Sequence, residues 1–452
     1  MKITIVGAGV IGSNLAKDLS DQNHEVYVVE KIPEVANKAN EKLDAKVLIG
    51  EGSDPEILKQ AGIESADLVI AVTASDETNF VVCSLADAYG AKKKIARIRN
   101  LPLSQALDSF GYARFSIDEI INPEQVAAEQ TVKIVKSPGS HEVADFGDGK
   151  ILLRSFVIPE DSPLCHAKIE DLRSDDSPWP FLVIAIKRDN SVIIPKGDGV
   201  IQKSDRIYVL LPSASLGEFL AFVDPNARRP EKIVIYGATS IGEKIAQDLI
   251  GYVRDVLVLE ENEEQAGSVA GKLNNVRVIN GSPSEKEILK ECGIEAVDVF
   301  ISASDSDHSN LVSAVLAKKM GAKKTIIITQ HPDYMSIMES LGIDIMINPR
   351  FLAVDQILRF VRGEGVNAVT KIVGCKAEAL ELVPEQGSPI TKAPLKDIKF
   401  PKESIVGAVF RDDDVILADG NTCIHEGEGT IVFCHEDCIT QLQKLFTRKK
   451  IL

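Results

Sequence analysis

The stretch Lys2-Ile3-Thr4-Ile5-Val6-Gly7-Ala8-Gly9-Val10-Ile11-Gly12 opens the chain, and KIVIYGATSIG at residues 232–242 repeats it. A short β-branched run predicts a strand. The glycines that end it predict a tight turn into a helix with apolar positions Ile11, Leu15 and Leu19. The repeat then widens. Gly7 aligns with Gly237, Gly12 with Gly242 and Glu30 with Glu260, each 230 residues apart. DPEILKQAGIESADLVI (54–70) aligns with SEKEILKECGIEAVDVFI (284–301), SDETN (75–79) with SDHSN (306–310), and GAKKKIARI from Gly90 with GAKKTIIIT from Gly321. Fainter matches join the tails: Gly197 with Gly420, Asp205 with Glu428 and Val209 with Val432. Self-similarity over this length marks a duplicated domain pair rather than a motif met twice.

Within each large unit, apolar runs such as EVYVVE and DLVIAVT alternate with amphipathic stretches such as TNFVVCSLADAYG. Continuous apolar runs are strands buried on both faces, and regular β-α-β order gives a doubly wound parallel sheet. The small units carry strands separated by turns, at RSFVIP, WPFLVIAIKRD, SVIIPKG and RIYVLLP, with DDSPWP and KGDG as punctuation. The expected fold is α/β: two Rossmann-like doubly wound domains, each followed by a small, mostly antiparallel α+β domain. The boundaries expected are 1–136, 141–225, 231–362 and 369–452, with linkers at 137–150, 224–232 and 363–369.

Composition excludes several functions. A formal charge of −16 argues against a broad grip on nucleic acid, which needs clustered Lys and Arg, and against a polybasic membrane patch. No run approaches the roughly 20 apolar residues of a bilayer span. The first strand leads into a glycine turn and not a small-residue cleavage site, which argues against a signal peptide. The 7 cysteines have no framework spacing and fit a reducing cytosol.

Gly7-Ala8-Gly9-Val10-Ile11-Gly12 is G-x-G-x-x-G between a strand and a helix, the context that gives the pattern meaning. The first glycine permits the turn, the second lets the backbone approach a pyrophosphate, and the third lets the helix pack on the strand. Glu30, 18 residues beyond Gly12 at the end of the second strand, is placed to accept hydrogen bonds from ribose hydroxyls and to repel a 2′-phosphate. Gly52-Ser53-Asp54 follows the third strand, with Gly52 expected near adenine and Asp54 either a helix cap or a polar contact. Thr73 and Ala74 follow the fourth strand, near ribose or phosphate, with Ser75 or Asp76 capping the next helix. Arg97 and Arg99 close the fifth strand and either reach phosphates or form surface ion pairs. The ligand expected at this first site is NAD(H), with ATP or ADP as alternatives sharing the adenosine diphosphate part.

The second copy departs from the first. In Gly237-Ala238-Thr239-Ser240-Ile241-Gly242, Thr239 replaces the middle glycine, while Glu260 and Gly281-Ser282 are kept, and Ile328 and Gln330 replace Arg97 and Arg99. Three outcomes are open there: weak nucleotide binding, a different nucleotide, or a structural role. No catalytic residues are expected. Tyr89 and Lys93 have Y-x-x-x-K spacing, but Gly90 breaks the turn between them. Cys423, His425, Cys434, His435 and Cys438 lack the paired spacing of a metal site, and none is expected.

GAGVIG with Glu30, the GSD at Gly52, TASDETN from Thr73, Arg97 in IARIRN and Asn122-Pro123-Glu124 before a helix carry a resemblance to a known family. Gly197-Asp198 and Ser204-Asp205-Arg206 in the small unit add to it. Over essentially its whole length the chain resembles the TrkA family of Trk-type potassium uptake regulators, whose units are called RCK or KTN domains. The resemblance implies a cytosolic homo-oligomer, a tetramer supplying eight units, lying peripherally beneath a membrane potassium transporter subunit and gating it when nucleotide binds. No nucleic-acid partner is expected, on the acidic charge balance given above.

Overall fold

A computed structural model describes the chain except for residues 173–179, 190, 225–227, 332, 335–336, 362–365, 372–376, 412–413 and 449–452. Residues 175–179 of the turn expected at 175–180, and parts of the linkers at 224–232 and 363–369, lie outside the described residues. In the first large unit, strands β1 (Lys2–Val6), β2 (Glu25–Glu30), β3 (Lys46–Ile49), β4 (Leu68–Ala71), β5 (Lys93–Arg97) and β6 (Glu119–Ile121) form one sheet. Its order is β3-β2-β1-β4-β5-β6 and every pairing is parallel. Between the strands run α1 (Val10–Asp21), α2 (Pro33–Lys42), α3 (Pro55–Gln60), α4 (Asp76–Ala88) and α5 (Leu101–Phe110), and α6 (Pro123–Val135) follows. Helix starts are set locally. Asp54, Ser75 and Asn122 each accept a hydrogen bond from a first-turn amide, and Pro55 and Pro123 occupy first helical positions.

The first small unit holds β7 (Ser140–Phe146), β8 (Ile151–Val157), β9 (Leu182–Arg188), β10 (Ser191–Ile193) and β11 (Arg206–Pro212), then α7 (Leu216–Val223). Its sheet is antiparallel, in the order β10-β9-β11-β8-β7. The second large unit repeats the first. Strands β12 (Lys232–Tyr236), β13 (Asp255–Glu260), β14 (Arg277–Asn280), β15 (Val299–Ser302), β16 (Lys324–Ile328) and β17 (Ile345–Ile347) keep the parallel order β14-β13-β12-β15-β16-β17. Helices α8 (Ser240–Leu249), α9 (Glu263–Lys272), α10 (Lys286–Glu291), α11 (Asp307–Lys319), α12 (Met338–Leu341) and α13 (Pro349–Val361) accompany it. The last unit has β18 (Val366–Lys371), β19 (Ala377–Leu382), β20 (Ser404–Arg411), β21 (Asp414–Leu417) and β22 (Thr430–His435), then α14 (Ile439–Phe446). The fold class is as expected, with two Rossmann-like sheets alternating with two small α+β units.

Two linker expectations are corrected. Residues 140–146 within the first expected linker are an edge strand paired with β8, and an edge strand paired with β19 begins at 366 inside the third and runs on to 371. SPGS and GDGK punctuate the first segment as loops would. The strand between them buries Ser140, Val143 and Phe146, every third residue, and its register shifts between Ser140 and Val143, so it lacks the two-residue alternation that marks a strand in sequence.

The division into units by sequence also differs from the division by packing. Helix α6 lies against the second sheet, where Ala127, Ala128, Val132, Ile134 and Val135 join Ile233, Ile235, Ile245 and Ile301 in one core. Helix α13 does the reverse, and Ala353, Val354, Ile357, Leu358 and Val361 pack with Ile3, Ile5, Leu15 and Ile70. Each half therefore covers the other's sheet with its own long helix. Burial is worth roughly 1.5–3 kcal/mol for each large side chain, so the exchange locks the halves together. The small units pack face to face, with Ile184 and Leu210 against Ala379, Ala408 and Phe433. A Cβ on Gly407 would lie 2.2 Å from Leu210, so that glycine sets how closely the two sheets approach.

At the join, Lys324 Nζ donates to Ser140 O at 2.7 Å, tying the start of β7 to the second large sheet. The neighbouring His141 is held down to about 4, first by burial and then by Lys324 and Arg206. Because its folded value lies below the ordinary 6.5, the unfolded chain takes up the proton first as pH falls. Stability attributable to His141 is complete above pH 6.5 and is lost progressively down to pH 4. We expect a loss of about 2–3 kcal/mol across that window. Urea midpoints between pH 7 and 4.5 will fall less steeply in His141→Leu than in the parent, and parallel slopes would show that His141 is not the group responsible.

Candidate functional site

At the end of β1 the backbone turns at Gly7 with φ +106°, a conformation that side-chain-bearing residues rarely adopt. A Cβ there would meet Thr73 N at 3.0 Å, and one on Gly12 would meet Gly7 O at 1.9 Å. Gly9 differs from both. Its φ is −64°, its absent Cβ would have nothing within 4 Å, and no side chain caps the α1 amides that follow it. An uncapped helix start facing open space is suited to an anion. Glu30 is buried opposite, its Oε2 accepting from Ala8 N at 2.7 Å and its Oε1 from Ile32 N at 2.9 Å. The carboxylate thus fixes the turn to the end of β2. Each oxygen keeps a further acceptor site for a hydroxyl.

These elements surround a cavity of about 650 Å³. Of the residues expected in the first site, Gly7, Gly9, Val10, Ile11, Glu30, Gly52, Thr73, Ala74 and Arg97 line it. Ala8 contributes through its amide to Glu30. Ser53 is exposed outside the lining, and Asp54 caps α3 through Glu56 N at 2.9 Å. Gly52 touches the cavity, yet its small size also accommodates the floor, since a Cβ would lie 2.3 Å from Val6.

The far end is polar and charged. Asn79, fully buried, accepts from Thr73 N at 2.9 Å and Thr73 Oγ1 at 2.7 Å and donates to Arg97 O at 2.8 Å. One side chain thereby joins the ends of β4 and β5. Arg97 donates to Thr73 O at 3.4 Å, and its Nη2 stands 4.0 Å from Glu124 Oε1. Burial holds its guanidinium below the ordinary value, with Glu124 opposing that effect. Arg99 Nε binds Glu124 Oε1 at 2.8 Å. The second half completes this end with Ile241, Gln330, Pro349 and Arg350, and Arg350 donates to Gln330 Oε1. Ile241, expected in the second site, thus lines the first cavity. Its neighbour Ser240 lies in a recess of about 390 Å³ beside Ser75, Arg99 and Glu124.

The second turn keeps the scaffold and changes the surface. Gly237 has φ +105°, and Glu260 accepts from Ala238 N at 2.6 Å and Asn262 N at 2.8 Å, as Glu30 does in the first. Thr239 Oγ1, however, accepts from Gly242 N at 3.2 Å and donates to Ala303 O at 2.7 Å. The side chain caps α8 and engages an amide that the first turn leaves uncapped. Tyr236 stands at the position of Val6 and Glu261 at that of Lys31. Glu261 accepts from Tyr236 OH at 3.1 Å and Ser282 Oγ at 2.9 Å. A second carboxylate beside Glu260 disfavours phosphate there. Gly281 packs against Ile288, 2.8 Å from where its Cβ would be.

The sequence matches the TrkA-N domain family over residues 3–123 and again over 233–349, and the TrkA-C domain family over 153–224. The chain belongs to the TrkA family. It is 32% identical to Trk system potassium uptake protein TrkA homolog 1 of Methanosarcina mazei, across 99% of this chain and 100% of that relative. It is 30% identical to the TrkA of Azorhizobium caulinodans, across 99% and 98%. Among solved structures, the GsuK RCK domain superposes with a TM-score of 0.61 at 16% identity, covering 98% of this chain and 94% of that one. The NAD-bound GsuK channel gives 0.63 at 16% identity, covering 98% and 78%. These likenesses establish the fold. Among the described residues of this TrkA-family chain, no helix is long and apolar enough to cross a membrane, and no three His, Cys, Asp or Glu side chains gather as metal ligands would.

Sequence reasoning overlooked Asn79 and Arg350. Asn79 had a usable signal, since the buried Asn310 repeats it and donates to Ile328 O at 2.9 Å. Arg350 had only its place after Asn348-Pro349, which parallels Asn122-Pro123.

Proposed function

We propose that the first cavity binds a nucleotide through its adenosine diphosphate part, NAD(H) or alternatively ATP or ADP, and that the chain regulates potassium uptake in response. The carrying observation is the uncapped turn at Gly9 facing open space, with the Glu30 carboxylate fixed across it. Amides and the helix dipole supply charge complementarity for a diphosphate. Glu30 supplies the acceptors for a ribose. The second turn, capped by Thr239, serves as a structural partner. The regulated partner is a Trk-type membrane potassium transporter subunit, as the relatives' names suggest. The chain acts as a peripheral cytoplasmic homo-oligomer, four copies to a ring, with no catalytic step. Ligand shifts such a ring only so far as it binds one arrangement better than another, and a coupling of about 1–3 kcal/mol is the usual size.

Calorimetric titration with NADH, NAD, ATP and ADP tests the site. The double substitution Gly9→Ala with Glu30→Ala should weaken every ligand at least about 100-fold, since hydrogen bonds to a charged group are worth roughly 1.5–3 kcal/mol. Wild-type affinity in that variant would end the proposal for this cavity. Co-purification with a Trk-type membrane subunit, and potassium flux measured with and without nucleotide, test the regulatory part.

A further inference from the structure

The second large sheet borders a further cavity, of about 610 Å³, at the amino-terminal ends of its strands, the edge opposite its glycine turn. Three parts of the chain wall it. Ile134 lies in the last turn of α6, Gly139 in the turn that leads into β7, and Val299, Lys324 and Ile326 in β15 and β16. Arg228 stands at its exposed rim, shortly before β12. The charges on this wall are unevenly matched. Lys323 and Asp298 pair at 2.7 Å, and Asp298 also accepts from Glu231 N at 2.7 Å and Lys232 N at 3.0 Å. Lys324 has no carboxylate partner among the described residues, and its Nζ donates to a neutral carbonyl, Ser140 O, at 2.7 Å. An ammonium carries three donors, so two are left over. Burial holds Lys324 down to about 8. Asp344 opposes that fall, and Lys318, which binds Asp344 at 2.7 Å, adds to it. The same uncancelled ammonium helps to push down the neighbouring His141. Arg228 makes no hydrogen bond or ion pair among the described residues. Against these two cations the wall sets one further carboxylate, Asp224. In the first half Lys93, which aligns with Lys324, is simply exposed.

We infer that this cavity is a separate ligand site for a small organic anion, whose charged head takes N–H groups from Lys324 and Arg228 and whose apolar body rests on Ile134, Val299 and Ile326. The volume is that of a small-molecule pocket. Carboxylates and phosphate esters share the required chemistry, an anionic head able to accept charge-assisted hydrogen bonds from both cations. The carbonyl end of α6 lies here as well, and two cations outweigh the partial negative charge it carries. Nothing in this depends on the nucleotide reading, since the first cavity lies at the carboxyl-terminal ends of the other large sheet's strands. A bound anion joins α6, the start of the first small unit and the second large sheet where Lys324 already ties β7 to β16. It thereby stiffens the join between that small unit and the second sheet.

The test titrates the full-length protein with hexanoate, phenyl phosphate, inorganic phosphate and hexanol, read by calorimetry and hydrogen exchange. Hexanoate and phenyl phosphate should both bind at millimolar concentration or below, the tighter of them naming the head group. Inorganic phosphate should bind more weakly than phenyl phosphate, and hexanol not at all. Exchange should slow at the start of β7 and of β16. Arg228→Gln and Lys324→Met should each lower hexanoate affinity about 10- to 100-fold. Lys324→Met also removes the tie to Ser140, so if that variant lacks a cooperative melting transition, Arg228→Gln on the exposed rim decides. Unchanged hexanoate affinity in Arg228→Gln overturns the inference. So does hexanol binding as tightly as hexanoate, or the failure of both organic anions to bind. Slowing confined to the amides after Gly9 overturns it too, by placing the anions in the first cavity.

Discussion

Leu358→Ala, a substitution in the second half of the chain, will destabilise the sheet of the first half. Leu358 is fully buried on α13 among Ile3, Ile5, Leu15 and Ile70. Removing a buried leucine side chain costs its transfer energy plus the cavity left behind, about 2–5 kcal/mol. Native-state hydrogen exchange reads the location of the effect. Amides of β1 and β4 should lose protection before those of β12 and β15, although the changed residue follows β12 by more than a hundred positions in sequence. Val132→Ala on α6 should give the mirrored pattern, with β12 weakened first, since Val132 packs with Ile233 and Ile235. If each substitution weakened the sheet of its own half first, the exchanged packing would be wrong.

Two glycines three positions apart in one turn should respond oppositely to the same change. Gly12→Ala places a methyl 1.9 Å from Gly7 O, a backbone atom with no rotamer to yield. Overpacking typically costs 1–3 kcal/mol, and a clash with backbone puts this one at about 3 kcal/mol or above. Gly9→Ala meets no atom within 4 Å and has φ −64°, so the folded state accepts it. The unfolded chain loses freedom, and stability should hold or rise by about 0.4–1 kcal/mol. Because Gly9 lines the cavity, the added methyl should weaken binding of the proposed nucleotide. Chemical denaturation paired with calorimetry separates the two. A Gly9→Ala protein as unstable as Gly12→Ala would mean that the space beside Gly9 is not open.

The glycine turn, Glu30 and the Thr73 loop were legible because each is a local pattern. A left-handed turn needs glycine at Gly7, a strand must precede it, and an acidic residue must end the next strand, all within a few dozen residues. The duplication doubled the signal and fixed the fold class. What stayed hidden depends on how the halves dock. Nothing about Ile241 or Arg350 in sequence places either in the cavity that Arg97 lines, since their positions follow from how the halves dock across more than a hundred residues. Asp54 fell between two readings because one side chain serves equally for capping and for ligand, and only its hydrogen bond to Glu56 N resolves it. The edge strand at 140–146 reads in sequence as a linker because its mostly polar composition and flanking glycines resemble a loop.

The crossing of α6 and α13 leaves neither half self-sufficient. A solitary copy of the repeated unit, carrying its long helix away from its own sheet, would leave an apolar face bare to water. Such a copy would need a twin beside it, each lending its helix to the other. Carrying both copies in one chain supplies that companion at a fixed one-to-one ratio. The pair is nonetheless unequal: Thr239, Glu261 and Arg350 stand where the first copy has Gly9, Lys31 and Glu124, and the second copy lends Arg350 to the wall of the first copy's cavity.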